Sequence, residues 1–111
     1  MKKYLVLYHA NTSALEQMQK STPEEMAAGM EPWMEWAARC GNHLVDMGTP
    51  LVGGQALTPG GSSDSDKGVC GFSILEAESM DHARQLLEGH PHMAWTEGCS
   101  IEVHESFAMP M

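Results

Sequence analysis

Three imidazoles are the residues of this chain best suited to chemistry: His90 and His92 in a His-Pro-His segment, and His9 near the amino terminus. A neutral imidazole close to pH 7 can accept or donate a proton, and two imidazoles within reach of each other titrate as a coupled pair. His90, His9 and His92 are therefore the candidate catalytic residues of a cofactor-free acid–base enzyme acting on a small organic molecule. The alternative is that these rings face solvent or cap backbone groups, in a non-catalytic small-molecule-binding or protein-interaction module.

Two tryptophans, Trp33 and Trp36, are the candidate ligand-binding residues. They lie three apart on a predicted helix, and Trp95 follows the His-Pro-His segment. Flat apolar rings could line a pocket for a small aromatic ligand. The alternative is that Trp33 belongs to the core and that the other two are partly exposed packing residues.

The cysteines do not support a metal site. Cys40, Cys70 and Cys99 are odd in number and widely spaced, and the chain has no Cys-x2-Cys or His-x3-His spacing. We therefore expect no metal and no cofactor. Free thiols suit a reducing cytoplasm better than a disulfide framework does, so the predicted localisation is cytoplasmic.

Composition limits the function classes further. At 111 residues the chain is long enough for one domain, residues 1–111, with a core of its own. Its formal net charge is −9, which argues against nucleic acid or an anionic membrane surface, because the cations that neutralise phosphates are few. No apolar run approaches the roughly 20 residues that a membrane span needs. We expect neither nucleic acid nor a membrane as a partner.

The candidate residues lie within a pattern of four strands and two helices. The first helix begins with a capping box from Thr22 to Glu25 and keeps its apolar phase across Pro32. We therefore expect one helix that ends at Gly48, with a kink near Pro32. The predicted strands are residues 4–9, 50–57, 69–76 and 101–107, and residues 58–67 are predicted to be a mobile hairpin loop.

The second helix ends at an elbow, residues 89–92. Gly89 can take a left-handed conformation there, and Pro91 prevents the helix from resuming. The order β-α-β-β-α-β predicts an α+β, ferredoxin-like fold, in which a four-stranded antiparallel sheet carries both helices on one face. This topology places His9, His90 and His92 at the same end of the sheet.

The predicted strands carry apolar side chains on both faces. In the first strand, Leu5 and Leu7 alternate with Tyr4 and Val6. Two helices can cover only one face, and a second copy of the sheet is the simplest cover for the other. We therefore expect a homodimer.

Four short segments carry a resemblance by their order and spacing: Leu-Val-Asp-Met-Gly-Thr-Pro-Leu-Val-Gly-Gly (44–54), Gly-Phe-Ser-Ile-Leu-Glu-Ala-Glu-Ser (71–79), Gly-His-Pro-His (89–92) and Ser-Ile-Glu-Val (100–103). Together they resemble the YCII-related family. The resemblance implies a dimeric α+β barrel, and most proteins of this kind have no assigned activity. Better-defined members pair a histidine in the first helix with an aspartate just before the proline that follows the second helix. Here His90 precedes that proline and residues 33–39 contain no histidine, so the family's pair is not carried over.

Overall fold

The elements follow the predicted order, with one short hairpin added. The computed structural model describes residues 1–11, 16, 20–94 and 98–109. The helices are α1 (Pro23–Cys40) and α2 (Met80–Leu86), with short 3-10 turns at Gly41–His43 and Pro91–Ala94. The strands are β1 (Lys2–His9), β2 (Leu44–Asp46), β3 (Gln55–Thr58), β4 (Gly61–Asp64), β5 (Val69–Ala77) and β6 (Ser100–Glu105).

Four of these strands form an antiparallel sheet in the order β2-β5-β1-β6. This order confirms the predicted α+β, ferredoxin-like fold. Tyr4, Val6 and Tyr8 of β1 share the face that carries the helices, and all three are buried. The core continues into Trp36 of α1 and Ala83 of α2. This shared core holds both helices on one side of the sheet.

α1 begins where the sequence predicts and ends earlier. The Thr22 hydroxyl accepts a hydrogen bond from the Glu25 N–H at 3.2 Å, and the Glu25 carboxylate accepts one from the Thr22 N–H at 3.3 Å. The helix continues through Pro32 as a single element, and the kink expected there stays a prediction. The predicted end at Gly48 is wrong, because Gly41 adopts a φ of 56° and the chain turns there. No helix in the described part of the chain is long and apolar enough to cross a membrane.

The second strand of the sheet lies at residues 44–46, so its predicted position at residues 50–57 is wrong. Leu44 pairs with Leu75 of β5, the chain turns away after Asp46, and it meets β5 again at Pro50, which forms an isolated bridge with Gly71. The Asp46 carboxylate accepts a hydrogen bond from the Gly48 N–H at 2.8 Å. Gly48 has a φ of 79°, and a Cβ there would lie 1.7 Å from the Phe72 carbonyl oxygen. Only glycine permits this close turn.

The remainder of the predicted second strand pairs with part of the predicted loop. Gln55 lies opposite Asp64 and Thr58 opposite Gly61, which forms the hairpin β3–β4. Its side chains are exposed or half-buried, and the strands pair with each other outside the main sheet. Ser62 and Ser63 give no apolar alternation, which is why the sequence did not predict β4. The mobility expected of this segment stays a prediction.

The face of the sheet opposite the helices carries apolar side chains, as expected. Leu5 is 38% exposed, and Leu7, Phe72 and Ile74 are half-buried. The first half of α1 is also exposed, including Met26. The Cα radius of gyration is 15.2 Å, above the roughly 13 Å typical of a chain of this length. These parts of the monomer are therefore available for contact with another molecule.

Candidate functional site

The elbow after α2 is formed by local backbone bonds, as the sequence predicts. The N–H of His90 donates to the Leu87 carbonyl at 3.2 Å, and the N–H of Met93 donates to the His90 carbonyl at 3.2 Å. Gly89 adopts a φ of 71°, a conformation that a residue with a Cβ adopts only with strain. The 3-10 turn Pro91–Ala94 then carries the chain away from the helix axis. His90 is consequently held on a rigid turn.

The elbow places His90 inside an aromatic box. The imidazole is 1% exposed. Its centroid lies 4.4 Å from the Trp36 ring, 4.5 Å from the Trp33 ring and 5.0 Å from the Tyr8 ring. The contacts with the two indoles are edge-on, a favourable arrangement for aromatic rings. The structure thus brings His90 to Trp33 and Trp36, although it is more than fifty residues from either in sequence.

Hydrogen bonding gives the His90 ring one tautomer. Its Nδ1 accepts from the backbone N–H of His92 at 3.0 Å, so the proton of the neutral ring is on Nε2. That atom lies 3.2 Å from the Tyr8 hydroxyl. Both ring nitrogens therefore have a partner within the protein.

The hydrogen-bond chain continues from Tyr8 in a single direction. The Ser73 hydroxyl donates to the Met47 carbonyl at 2.7 Å, and a carbonyl can only accept. The Ser73 oxygen therefore accepts the Tyr8 proton, at 2.7 Å, and the Tyr8 oxygen accepts the Nε2 proton of His90. The relay His90–Tyr8–Ser73–Met47 is complete, and it ties the elbow to β1, β5 and the turn after β2.

The relay does not titrate near neutral pH. Burial, with smaller contributions from His92 and Arg39, lowers the pKa of His90 to about 3. Burial raises the pKa of Tyr8 to about 12, although the Ser73 hydrogen bond opposes this shift. At pH 7 the imidazole is neutral and the phenol is protonated, which are the forms that the hydrogen-bond directions require.

His92 is also buried, at 3% exposed. Its Nε2 donates to the backbone carbonyl of His9 at 2.8 Å. Burial lowers the pKa of His92, and the hydrogen bonds to the carbonyls of His9 and Ser100 oppose this effect. Solvent exposure, the first half of the alternative for the elbow imidazoles, is wrong for both His90 and His92. Both rings do hydrogen-bond backbone groups, which is its other half.

The predicted pair between the His9 and His90 rings does not form. Side chains alternate along β1, so His9 lies on the open face and Tyr8 on the helix face with His90. The His9 ring donates from Nδ1 to the Lys67 carbonyl at 2.9 Å, and its Nε2 lies 3.6 Å from a Glu102 carboxylate oxygen. His9 contacts the elbow through its backbone carbonyl, which accepts the hydrogen bond from His92.

The burial of the two tryptophans differs from the alternative that placed Trp33 in the core and left Trp36 partly exposed. Trp36 is completely buried, and its indole N–H donates to the Leu86 carbonyl at the end of α2 at 2.8 Å. Trp33 is half-buried and packs against the core. The apolar spacing of α1 alone does not reveal the Trp36 contact, and the role of both residues in ligand binding stays a prediction. Trp95 lies outside the described residues.

A groove of about 610 Å³ runs between α1 and the elbow, on the outer side of the aromatic box. Sequence reasoning missed it, and missed Tyr8 and Ser73 as partners of His90. The spacing of Pro32, Glu35 and Arg39 places them on one face of α1, a signal that could have indicated a shared surface. The residues lining the groove are Pro32, Glu35 and Arg39 of α1 and Gly89, Pro91 and Ala94 of the elbow and its 3-10 turn.

Comparison with known proteins assigns no family. No protein-family model and no curated protein matches the chain. Among solved structures, it is similar to 5-chloro-2-hydroxyhydroquinone dehydrochlorinase (TftG) from Burkholderia phenoliruptrix AC1100, in a complex with 2,5-dihydroxybenzoquinone. The two chains are 20% identical over 90% of each, with a TM-score of 0.45. Similarity at this level does not transfer the activity or the ligand of that enzyme.

Proposed function

We propose that this protein is a YCII-related, non-catalytic small-molecule-binding module that acts as a cytoplasmic homodimer. The observation that carries the proposal is the state of His90. Its ring is buried, and both of its nitrogens are engaged in a one-directional relay. An acid–base group must exchange its proton near the working pH and must reach the substrate, and His90 does neither.

The resemblance to the YCII-related family supports a change of role at these positions. In that family, a histidine in the first helix would pair with an aspartate just before the elbow proline. Here the corresponding stretch of α1 supplies Trp33 and Trp36, which pack edge-on against His90. An aromatic contact therefore stands where the resemblance implies a proton-transferring pair, and this contact stabilises the fold.

The open face of the sheet supports the homodimer. Leu5, Leu7, Phe72 and Ile74 lie exposed or half-buried there. Burying about 600 Å² of such surface would contribute about 15 kcal/mol before the costs of association. A second copy offers the same apolar face, so two-fold packing covers both faces at once.

Nuclear magnetic resonance titration of histidine-labelled protein tests the proposal. We expect the Cε1–H signal of His90 to show no inflection between pH 5 and pH 9. A small-molecule fragment library should contain ligands that shift the amides of Arg39 and Gly89. A His90 inflection between pH 6 and pH 7.5, or a library without any such ligand, would contradict the proposal.

One observation favours the second candidate, a cofactor-free acid–base enzyme. His9 Nε2 is 3.6 Å from the Glu102 carboxylate on the open face, and a histidine beside a carboxylate is a common acid–base arrangement. This enzyme would work on the open face and would not use the elbow. A fragment that shifts His9 and Glu102 and leaves Gly89 unchanged would favour the enzyme over the binding module.

A further inference from the structure

We propose that the groove between α1 and the elbow binds a small monocarboxylic acid, with the Arg39 guanidinium as its anchor. This inference rests on the proposed binding function and names its site and ligand class. The groove volume of about 610 Å³ lies within the range of roughly 300–1,000 Å³ that small-molecule sites occupy. It can therefore hold a molecule the size of a substituted benzene ring.

Arg39 is the cation of this groove. In the described ranges of the chain its guanidinium makes no ion pair and no hydrogen bond. It extends across Gly89, where a Cβ would lie 3.9 Å from Nη1 and 4.0 Å from Nη2. Arg39 is exposed and lines the groove, so the planar fork is accessible from it. A carboxylate can then accept two parallel hydrogen bonds from it.

The overall charge of the protein favours one negative charge on the ligand. The chain carries a net charge of −9, and Glu35 lines the same groove four residues before Arg39. A polyanion would be repelled by this surrounding field. A monoanion is repelled less, because its single charge is placed against the guanidinium.

The other residues that line the groove indicate which groups the ligand carries besides its carboxylate. Pro32, Pro91 and Ala94 supply flat apolar surface, and Gly89 adds exposed backbone. Glu35 lies one helical turn from Arg39, about 6 Å away on the same face, and its carboxylate can accept a hydrogen bond. The combination suits a carboxylate, a short apolar body and a hydroxyl group at the far end.

Amide-detected titrations with benzoate, 4-hydroxybenzoate and the neutral 4-hydroxybenzyl alcohol test this inference in the full-length protein. We expect 4-hydroxybenzoate to shift Gly89 and the Arg39 side-chain Nε–H saturably, and to bind at least tenfold more tightly than the alcohol. Arg39→Gln should weaken its binding at least tenfold, and Arg39→Lys should weaken it several-fold because lysine lacks the fork. Glu35→Gln should increase the affinity for benzoate, since it removes the neighbouring negative charge.

Arg84→Gln is the matched control, because Arg84 is an exposed arginine on α2 beside Asp81 and away from the groove. Its affinity for 4-hydroxybenzoate should equal that of the wild type. If the alcohol binds at Gly89 as tightly as the acid, or Arg39→Gln binds the acid unchanged, the carboxylate inference is wrong and the binding function stands. If no probe and no library fragment shifts the groove, the binding function is wrong as well.

Discussion

The Tyr8 hydroxyl lies 3.2 Å from Nε2 of His90, across 82 positions of sequence. This contact joins the first strand to the elbow after the second helix, and both residues are almost fully buried. Each partner also has a second hydrogen bond, to Ser73 for Tyr8 and to the His92 N–H for His90. The contact is therefore part of the core, and its loss should affect stability before it affects binding.

Tyr8→Phe should destabilise the protein by about 2–4 kcal/mol in urea denaturation, because it leaves the buried Nε2 proton of His90 without an acceptor and the Ser73 oxygen without its donor. Tyr4→Phe is the control. Tyr4 is on the same strand and face and is equally buried, yet its hydroxyl has no hydrogen-bond partner in the described structure. Its removal should change the free energy of unfolding by less than about 1 kcal/mol or increase it. Equal losses in both variants would contradict the relay.

The buried imidazole should make the protein acid-sensitive. The pKa of His90 is about 3 in the folded state and about 6.5 in an unfolded chain. The contribution of the neutral His90 ring to the free energy of unfolding is therefore fully present above pH 6.5 and is lost as the pH falls towards 3. The loss over that window is on the order of 4 kcal/mol.

His90→Gln isolates this contribution from those of the carboxylates. The variant cannot titrate at position 90, although it retains His92, whose pKa is also lowered by burial. Its unfolding free energy, measured by denaturant titration at each pH, should fall less steeply than that of the wild type between pH 6.5 and pH 3. Parallel curves would show that His90 is accessible to protons in the folded protein.

The open sheet face should mediate dimerisation. Sedimentation at micromolar concentration should give a species of twice 12.1 kDa. Leu5→Glu should shift it to the monomer mass, because it places an unpaired charge in the interface at a residue that is 38% exposed in the monomer. Met93→Glu, an exposed substitution in the 3-10 turn on the helix side, should remain dimeric. A wild-type protein of only 12.1 kDa would refute the dimer.

The hairpin β3–β4 should contribute little to stability. Deleting residues 61–64 removes β4, whose side chains are exposed. A shorter surface loop changes closure entropy by only tenths of a kcal/mol, so the melting temperature should change by no more than a few degrees. A drop of about 10 °C would show that the hairpin packs on the partner subunit.

Local signals in the sequence were sufficient for most of the fold. The capping box at Thr22, the stop at Gly89 and Pro91 and the apolar run in β1 each act within a few residues, and each predicted its element. The position of β2 could not be found this way. Leu44 continues the helical apolar spacing, and only its pairing with Leu75 of β5 makes it a strand residue.

The sequence by itself singled out five residues, because imidazoles at one end of a predicted sheet and indoles three apart on a predicted helix are recognisable from residue type and spacing: His9, His90, His92, Trp33 and Trp36. The tertiary structure decided what they do. Tyr8 and Ser73, distant in sequence, complete the relay and bury His90, and burial sets its protonation state. Arg39 was not singled out, since its place in the groove depends on the elbow lying beside α1. Burial and solvent access depend on contacts between elements far apart in the chain, and residue spacing within one element does not encode them.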